Sequence, residues 1–236
     1  MPAFHYLHAN EPEKLIAELL RDHQHLNDSV STDKEWYERV QLAEFLKAAA
    51  REPFITYPIT IIHTSDSNPD FKIDMPSQAV GVEVSRITNE PLHRLEKVPK
   101  IRNSVTTPSP FLISGRKLRN DEIFDMALNS DTWNAPEAEQ AFWFQQAQDI
   151  VRKKSKIRRR NDYHDYGKNW LVLWDRLSIS PAAFHSRAEL LQKAWNQFWR
   201  KHCGFDLIVL ECEELRRFAI LTPDGIHFLP EAVGAM

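Results

Sequence analysis

The chain has 236 residues, 42% of them apolar and 27% charged, with 33 Asp and Glu against 30 Lys and Arg for a net charge of −3; this is an ordinary globular composition with apolar matter enough for a sizeable core. The longest largely apolar runs, 54–62 and 207–210, are strand-length and fall short of the roughly 20 residues that cross a bilayer, and the polar first thirteen residues have no apolar stretch of the kind a secretory signal needs, so a cytoplasmic address is expected. Two cysteines, Cys203 and Cys212, neither staple a secreted scaffold nor give paired zinc spacing, and six glycines scattered singly leave no place for a phosphate-binding or dinucleotide-binding glycine loop.

In chain order, the first strong signal is DKEWYERVQLAEFLKAAA at 33–50, where Trp36, Val40, Ala43 and Leu46, and again Leu42, Phe45 and Ala49, recur at helical spacing behind a Ser31 or Thr32 cap. FITYPITIIH at 54–63 has strand composition, and Pro58 within it argues for an edge position or a bulge. After the turn residues SDSNPD, 71–73 and 79–87 read as two further strands, the second alternating Val80, Val82 and Val84 against Gly81, Glu83 and Ser85. From about 88 to 136 the repeated prolines and the polar run NSVTTPSP predict an irregular basic insertion with one short helix near 122–128. Helical spacing returns at 137–157 with Ala141, Phe144, Ala147, Ile150 and Val151 as the expected buried stripe. NWLVLW at 169–174 is a strand. Ser180 and Pro181 start a helix carrying Phe184, Ala188, Leu191, Trp195 and Phe198 until Gly204 can end it. FDLIVLE is a buried strand, and 217–229 folds as a hairpin across Pro223, Asp224 and Gly225. The order predicts one α/β domain over 1–236 with a mixed central sheet: an αβββαβ core flanked by helices, its first strands a meander and its later ones joined by helical crossovers.

Two acids are placed with some definition by this order. Asp70 opens the second strand after a turn, and Glu83 sits mid-strand in the third on the side opposite the valine row, so neighbouring strands can bring both to one end of the sheet. Two converging carboxylates, with a backbone carbonyl such as that of Val84, suit Mg2+ (or Mn2+), which prefers hard oxygen ligands and keeps several waters. Such an ion activates water and stabilises charge building on a phosphate. A cation is still needed near the scissile bond, and Lys153, Lys154 and Lys156 lie on the following helix. Each residue also has a plainer reading: Asp70 as a turn residue, Glu83 as an exposed strand position, the lysines as the basic end of a helix.

The Pro69-Asp70 pair before a strand, Glu83-Val84-Ser85 inside the next and the αβββαβ order around them resemble the PD-(D/E)xK, restriction endonuclease-like nuclease superfamily over roughly residues 33–174. The chain departs from that pattern at Ser85, which stands where the motif has its lysine. Members are known in which the cation has moved to the following helix, and I-V-R-K-K-S-K resembles that arrangement, with Lys154 the first choice and Lys153 the second. An acid on the first helix often completes the metal site, which leaves Glu38 and Glu44 as open alternatives. The resemblance implies magnesium-dependent hydrolysis of nucleic-acid phosphodiesters with Asp70, Glu83 and Val84 holding the metal.

Charge distribution points toward the same substrate. Seven Lys and Arg against Glu96 fall between Arg94 and Arg119, and seven of the nine residues from Arg152 to Arg160 are basic, so the rest of the chain is strongly acidic and polyanions are attracted only along these stripes. Arg116, Lys117, Arg119, Lys156, Arg158, Arg159 and Arg160 are the expected phosphate contacts, to DNA in preference to RNA, and a double-strand cut would favour a homodimer. The other reading is a catalytically degenerate relative that binds nucleic acid or a protein partner. Trp36, Trp143, Trp195 and Trp199 fit a core, whereas Trp133 is the candidate for base stacking.

Overall fold

A computed structural model describes residues 7–27, 34–64, 69–87, 136–175, 181–199, 204–212 and 215–229. They form eight strands and four helices: β1 (Leu7–Ala9), α1 (Pro12–Asn27), α2 (Lys34–Ala49), β2 (Ile59–His63), β3 (Phe71–Met75), β4 (Gln78–Ile87), α3 (Pro136–Arg158), β5 (Gly167–Asp175), α4 (Pro181–Ala194) continued by a π turn (Trp195–Trp199), β6 (Leu207–Cys212), β7 (Arg217–Thr222) and β8 (Gly225–Phe228). All eight strands join one sheet in sequence order. β1 to β4 are antiparallel neighbours, β4, β5 and β6 are parallel, and β7 and β8 close the sheet as antiparallel strands. The two parallel steps are the ones bridged by α3 and α4, as parallel pairing requires a crossover.

Strand alternation divides the apolar residues between two faces. Ile61, Ile73, Val80, Val82, Val84, Val172 and Val209 pack with Leu15 and Leu19 of α1 and Leu42, Phe45 and Leu46 of α2. Leu171, Leu173, Ile208 and Leu210 pack on the other face with Trp143, Ala147 and Val151 of α3 and Phe184, Ala188 and Leu191 of α4. The result is a sheet covered by helices on both sides. At roughly 25 cal/mol per Å2 of apolar surface removed from water, the two covered faces supply the main drive to fold.

Several expectations shift in detail. Leu7–Ala9 form an additional three-residue strand at the sheet edge, and Pro12–Asn27 an additional helix with Leu15 and Leu19 buried; neither is among the expected elements. Pro58 is neither at a sheet edge nor in a bulge: it precedes β2, joined to Tyr57 by a cis bond, and β2 has a neighbour on each side. The α3 stripe is rotated from the one expected. Trp143, Ala147 and Val151 are buried at a spacing of four, Ala141 is exposed, and Phe144 and Ile150 are half-buried. Trp143 outcompetes smaller neighbours because its ring buries more apolar surface and its Nε1 donates to Asp175 Oδ2 at 2.7 Å. Trp195 and Cys212 are buried, and Trp36 is half-buried. The turn of the β7–β8 hairpin is at Pro223 and Asp224, with Thr222 opposite Gly225. The insertion at 88–135, its expected short helix, Trp133 and Cys203 lie outside the described residues. Among the described residues, no helix is long and apolar enough to cross a membrane.

Candidate active site

The β3–β4 register pairs Phe71 with Val82, which sets Asp70 next to Glu83 where β3 begins. Toward β4 its side chain makes the bond: Asp70 Oδ2 accepts the Val84 N–H at 2.8 Å. The Asp70 carbonyl accepts the Thr64 N–H at 3.1 Å, and the Thr64 hydroxyl donates to the Pro69 carbonyl. The Pro-Asp pair is thereby held from β2 and β4 together. Because the N–H and C=O of a strand residue face the same edge, the Val84 carbonyl looks toward the side from which Asp70 arrives.

Glu83 lies opposite Val82 and Val84 in alternation, hence on the α3 face, and it is fully buried. Its reading as an exposed strand position is therefore excluded. The cation comes from α3. Lys154 follows buried Val151 by three positions and so lies on the inward side of the helix, where its Nζ donates to Glu83 Oε2 and, at 3.3 Å, to Asp70 Oδ2. Only about one-eighth of the Lys154 and Asp70 side-chain surfaces is exposed. Lys153, one residue and about 100° away around the helix, is exposed on the outer surface and does not join this group. Ser85 points to the same face as Glu83 by alternation.

The electrostatics are those of three charges in a dry recess. Burial, reinforced by the nearby Asp70 charge and opposed by Lys154, pushes the Glu83 carboxyl up to about 7. Burial works against the charge on Lys154, but Asp70 and Glu83 outweigh it and hold its pKa above the ordinary lysine value. Glu83 Oε1 is buried with no hydrogen-bond partner among the described residues, an arrangement that costs about 1–3 kcal/mol unless something binds there.

Sequence reasoning missed the walls of the recess. Tyr163 is buried, its hydroxyl 3.4 Å from Asn169 Oδ1, and burial together with Glu83 raises its phenol well above the usual range. Asn169 is fully buried; its backbone N–H donates to Asp206 Oδ2 at 2.8 Å and its side chain to Asp165 Oδ1 at 3.0 Å. The available signal was a polar residue opening an otherwise apolar strand. Gly81 stands opposite Lys72 and Asn169 in the sheet. A Cβ there would lie 2.8 Å from Pro69 Cγ, 3.0 Å from Asn169 Oδ1 and 3.1 Å from Tyr166 Cδ2, so the missing side chain is what allows Pro69 and Asp70 to close on β4.

The remaining expected site residues are scattered. α2 packs on the far face of the sheet from Glu83, which speaks against both Glu38 and Glu44 as partners of Glu83; Glu44 bonds Lys47 at 2.6 Å. Lys156, Arg159 and Arg160 are exposed at the end of α3 and just beyond it. Arg158 is turned inward instead: it pairs with Asp165 at 3.0 Å and packs against the space above Gly204. Arg116, Lys117 and Arg119 lie outside the described residues. Asp206 bonds Lys168 at 3.1 Å as well as the Asn169 amide, so the acidic strand near it serves the network beneath the recess. Among the described residues, no group of three or more His, Cys, Asp or Glu is placed to hold a metal ion. The class so defined is an α/β protein with a mixed eight-stranded sheet and a recessed Asp–Glu–Lys group. No known protein family, curated protein or solved structure matches the chain.

Proposed function

We propose that this chain is a metal-dependent nuclease of the PD-(D/E)xK, restriction endonuclease-like class, hydrolysing phosphodiester bonds in nucleic acid, DNA first. The observation that carries the reading is the convergence of Asp70 and Glu83 from adjacent strands on one lysine of the next helix, at the position where the α2-β2-β3-β4-α3-β5 order resembles the superfamily core. The residues fit a hard divalent cation: two carboxylates, one with an orphaned buried oxygen, and a strand carbonyl facing the same edge. Asp70, Glu83 and the Val84 carbonyl would hold Mg2+ or Mn2+, with waters completing the shell since no third acid is at hand among the described residues. When bound, such an ion polarises the phosphate and lowers the pKa of a coordinated water. Asp70 and Glu83 bring negative charge that only a cation or a proton can offset in so dry a site. Lys154 offsets one of the two negative charges in the absence of metal, and beside the reacting phosphate its ammonium stabilises charge on the oxygens. Lys156, Arg159 and Arg160 offer backbone contacts whose strength falls with salt.

A second reading, a catalytically silent relative that binds nucleic acid or a protein partner, is favoured by one specific feature: Lys154 already pairs with both acids. The two are separated by incubating wild type, Glu83→Ala and Lys154→Ala with plasmid, linear duplex, single-stranded DNA and RNA in Mg2+ and in EDTA. Magnesium-dependent cleavage lost by at least 100-fold in both variants is the expected result. Identical behaviour of the three proteins removes the catalytic reading.

A further inference from the structure

We infer that His164, Tyr166 and Lys72 form a stacking ledge for an unpaired nucleobase beside Asp70 and Glu83, so that the polymer acted on is single-stranded. The inference rests on the nuclease reading and names its substrate class. Tyr166 lies over Gly81, with its ring carbon 3.1 Å from where a Cβ would be. Gly81 is two residues before Glu83 on the same face of β4, about 7 Å along the strand. His164 is exposed and meets Tyr166 at 4.3 Å between ring centroids with a 55° tilt. The Lys72 ammonium, paired with Asp74 at 2.7 Å, stands over the Tyr166 ring at 5.6 Å from its centre, where a base would displace it toward the ring edge. Two rings meeting at an angle make a notch in which a flat base rests on one ring and abuts the other, with a cation at its side.

This pair contributes little to the core. His164 is solvent-exposed and Tyr166 half-exposed, and neither belongs to the buried clusters on the two faces of the sheet. The acids next to it are recessed: Glu83 has no exposed side-chain surface and Asp70 and Lys154 show 12% each. A paired base has its faces covered by its neighbours in the stack, and duplex phosphates sit on the outside of a thick rod. A single strand can present a free base face to the ledge and bring one phosphate against the partly covered Asp70 and Lys154 beside it.

The test is fluorescence anisotropy in EDTA with a 5′-labelled twelve-residue oligothymidylate and a blunt duplex of the same length, using wild type, His164→Ala, Tyr166→Leu and Tyr166→Phe. The single strand should bind at least about 10-fold tighter than duplex. His164→Ala and Tyr166→Leu should each weaken it about 5- to 100-fold, with duplex affinity and the salt slope unchanged, while Tyr166→Phe keeps wild-type affinity. Oligouridylate against oligodeoxyuridylate, which share the base, assigns the sugar: weaker binding of the ribo strand assigns DNA, equal binding either polymer, and both keep the ledge. Duplex bound as tightly as single strand overturns the proposal, as does wild-type binding by His164→Ala and Tyr166→Leu proteins with normal melting. If Tyr166→Leu fails to fold, exposed His164 and the ring-preserving phenylalanine decide. Cleavage of duplex and single strand alike sinks the ledge and spares the nuclease reading; single-strand preference with no cleavage does the reverse.

Discussion

Replacing Glu83 by glutamine should stabilise the metal-free protein, and by an amount that depends on pH in a defined direction. The Glu83 carboxyl is shifted from 4.5 to about 7 by burial and by Asp70. Below pH 4.5 it is protonated in the native and unfolded chain alike and costs nothing. Between pH 4.5 and 7 the unfolded chain releases this proton more readily than the native one, so native stability falls as pH rises; above pH 7 the loss is complete. At 1.36 kcal/mol per pH unit, the shift corresponds to about 3 kcal/mol. Glutamine does not titrate, so the stability of Glu83→Gln minus that of wild type should grow by about 3 kcal/mol from pH 4.5 to pH 7.5, or roughly 6–12 °C in Tm for a chain of this size. Urea denaturation in EDTA at half-unit pH intervals measures it. Millimolar Mg2+ should then raise wild-type stability at pH 7.5 and leave Glu83→Gln nearly unmoved, since a ligand stabilises only the form that binds it. A difference that stays flat with pH, or one that shrinks as pH rises, would refute the burial argument and with it the electrostatics assigned to the recess.

Two other perturbations test the walls and a feature outside the site. Gly81→Ala drives a methyl toward Pro69 Cγ, Asn169 and Tyr166 and should cost about 1–3 kcal/mol by overpacking; since Pro69 must give way, the rise in stability on adding Mg2+ should also shrink, as read by the same denaturation series. Asp175→Ala removes an ion-pair partner, 2.7 Å away, from Arg187, a guanidinium almost wholly buried against the Trp143 ring. That loss should be about 3–5 kcal/mol, with most of it recovered in the Asp175→Leu, Arg187→Met double variant; additive losses in the double variant would show that the pair does not act as a unit.

From α2 onward the described elements were legible along the chain because periodicity is a local property, whereas β1 and α1 were not read. Helix spacing marked α2, α3 and α4, alternation marked β4, and the turn residues at 223–225 marked the last hairpin. Alternation also determined that Glu83 opposes the valine row, and the order of elements that Asp70 lies on the adjacent strand. What the pattern left open was everything that depends on which surface meets which. Whether Glu83 faces water or a helix is decided by α3 crossing over that side of the sheet, and burial of the acid follows from it. Lys154, the first choice from the sequence, meets the acids and Lys153 does not, because Ala147 and Val151 turn that side of α3 toward the sheet. Glu38 and Glu44 belong to a helix that covers the opposite face. Tyr163, Asn169 and Gly81 acquire their roles only when a loop before β5 folds across β4. Local sequence sets the period of a side-chain row; the competition of whole faces for burial sets the direction in which it points.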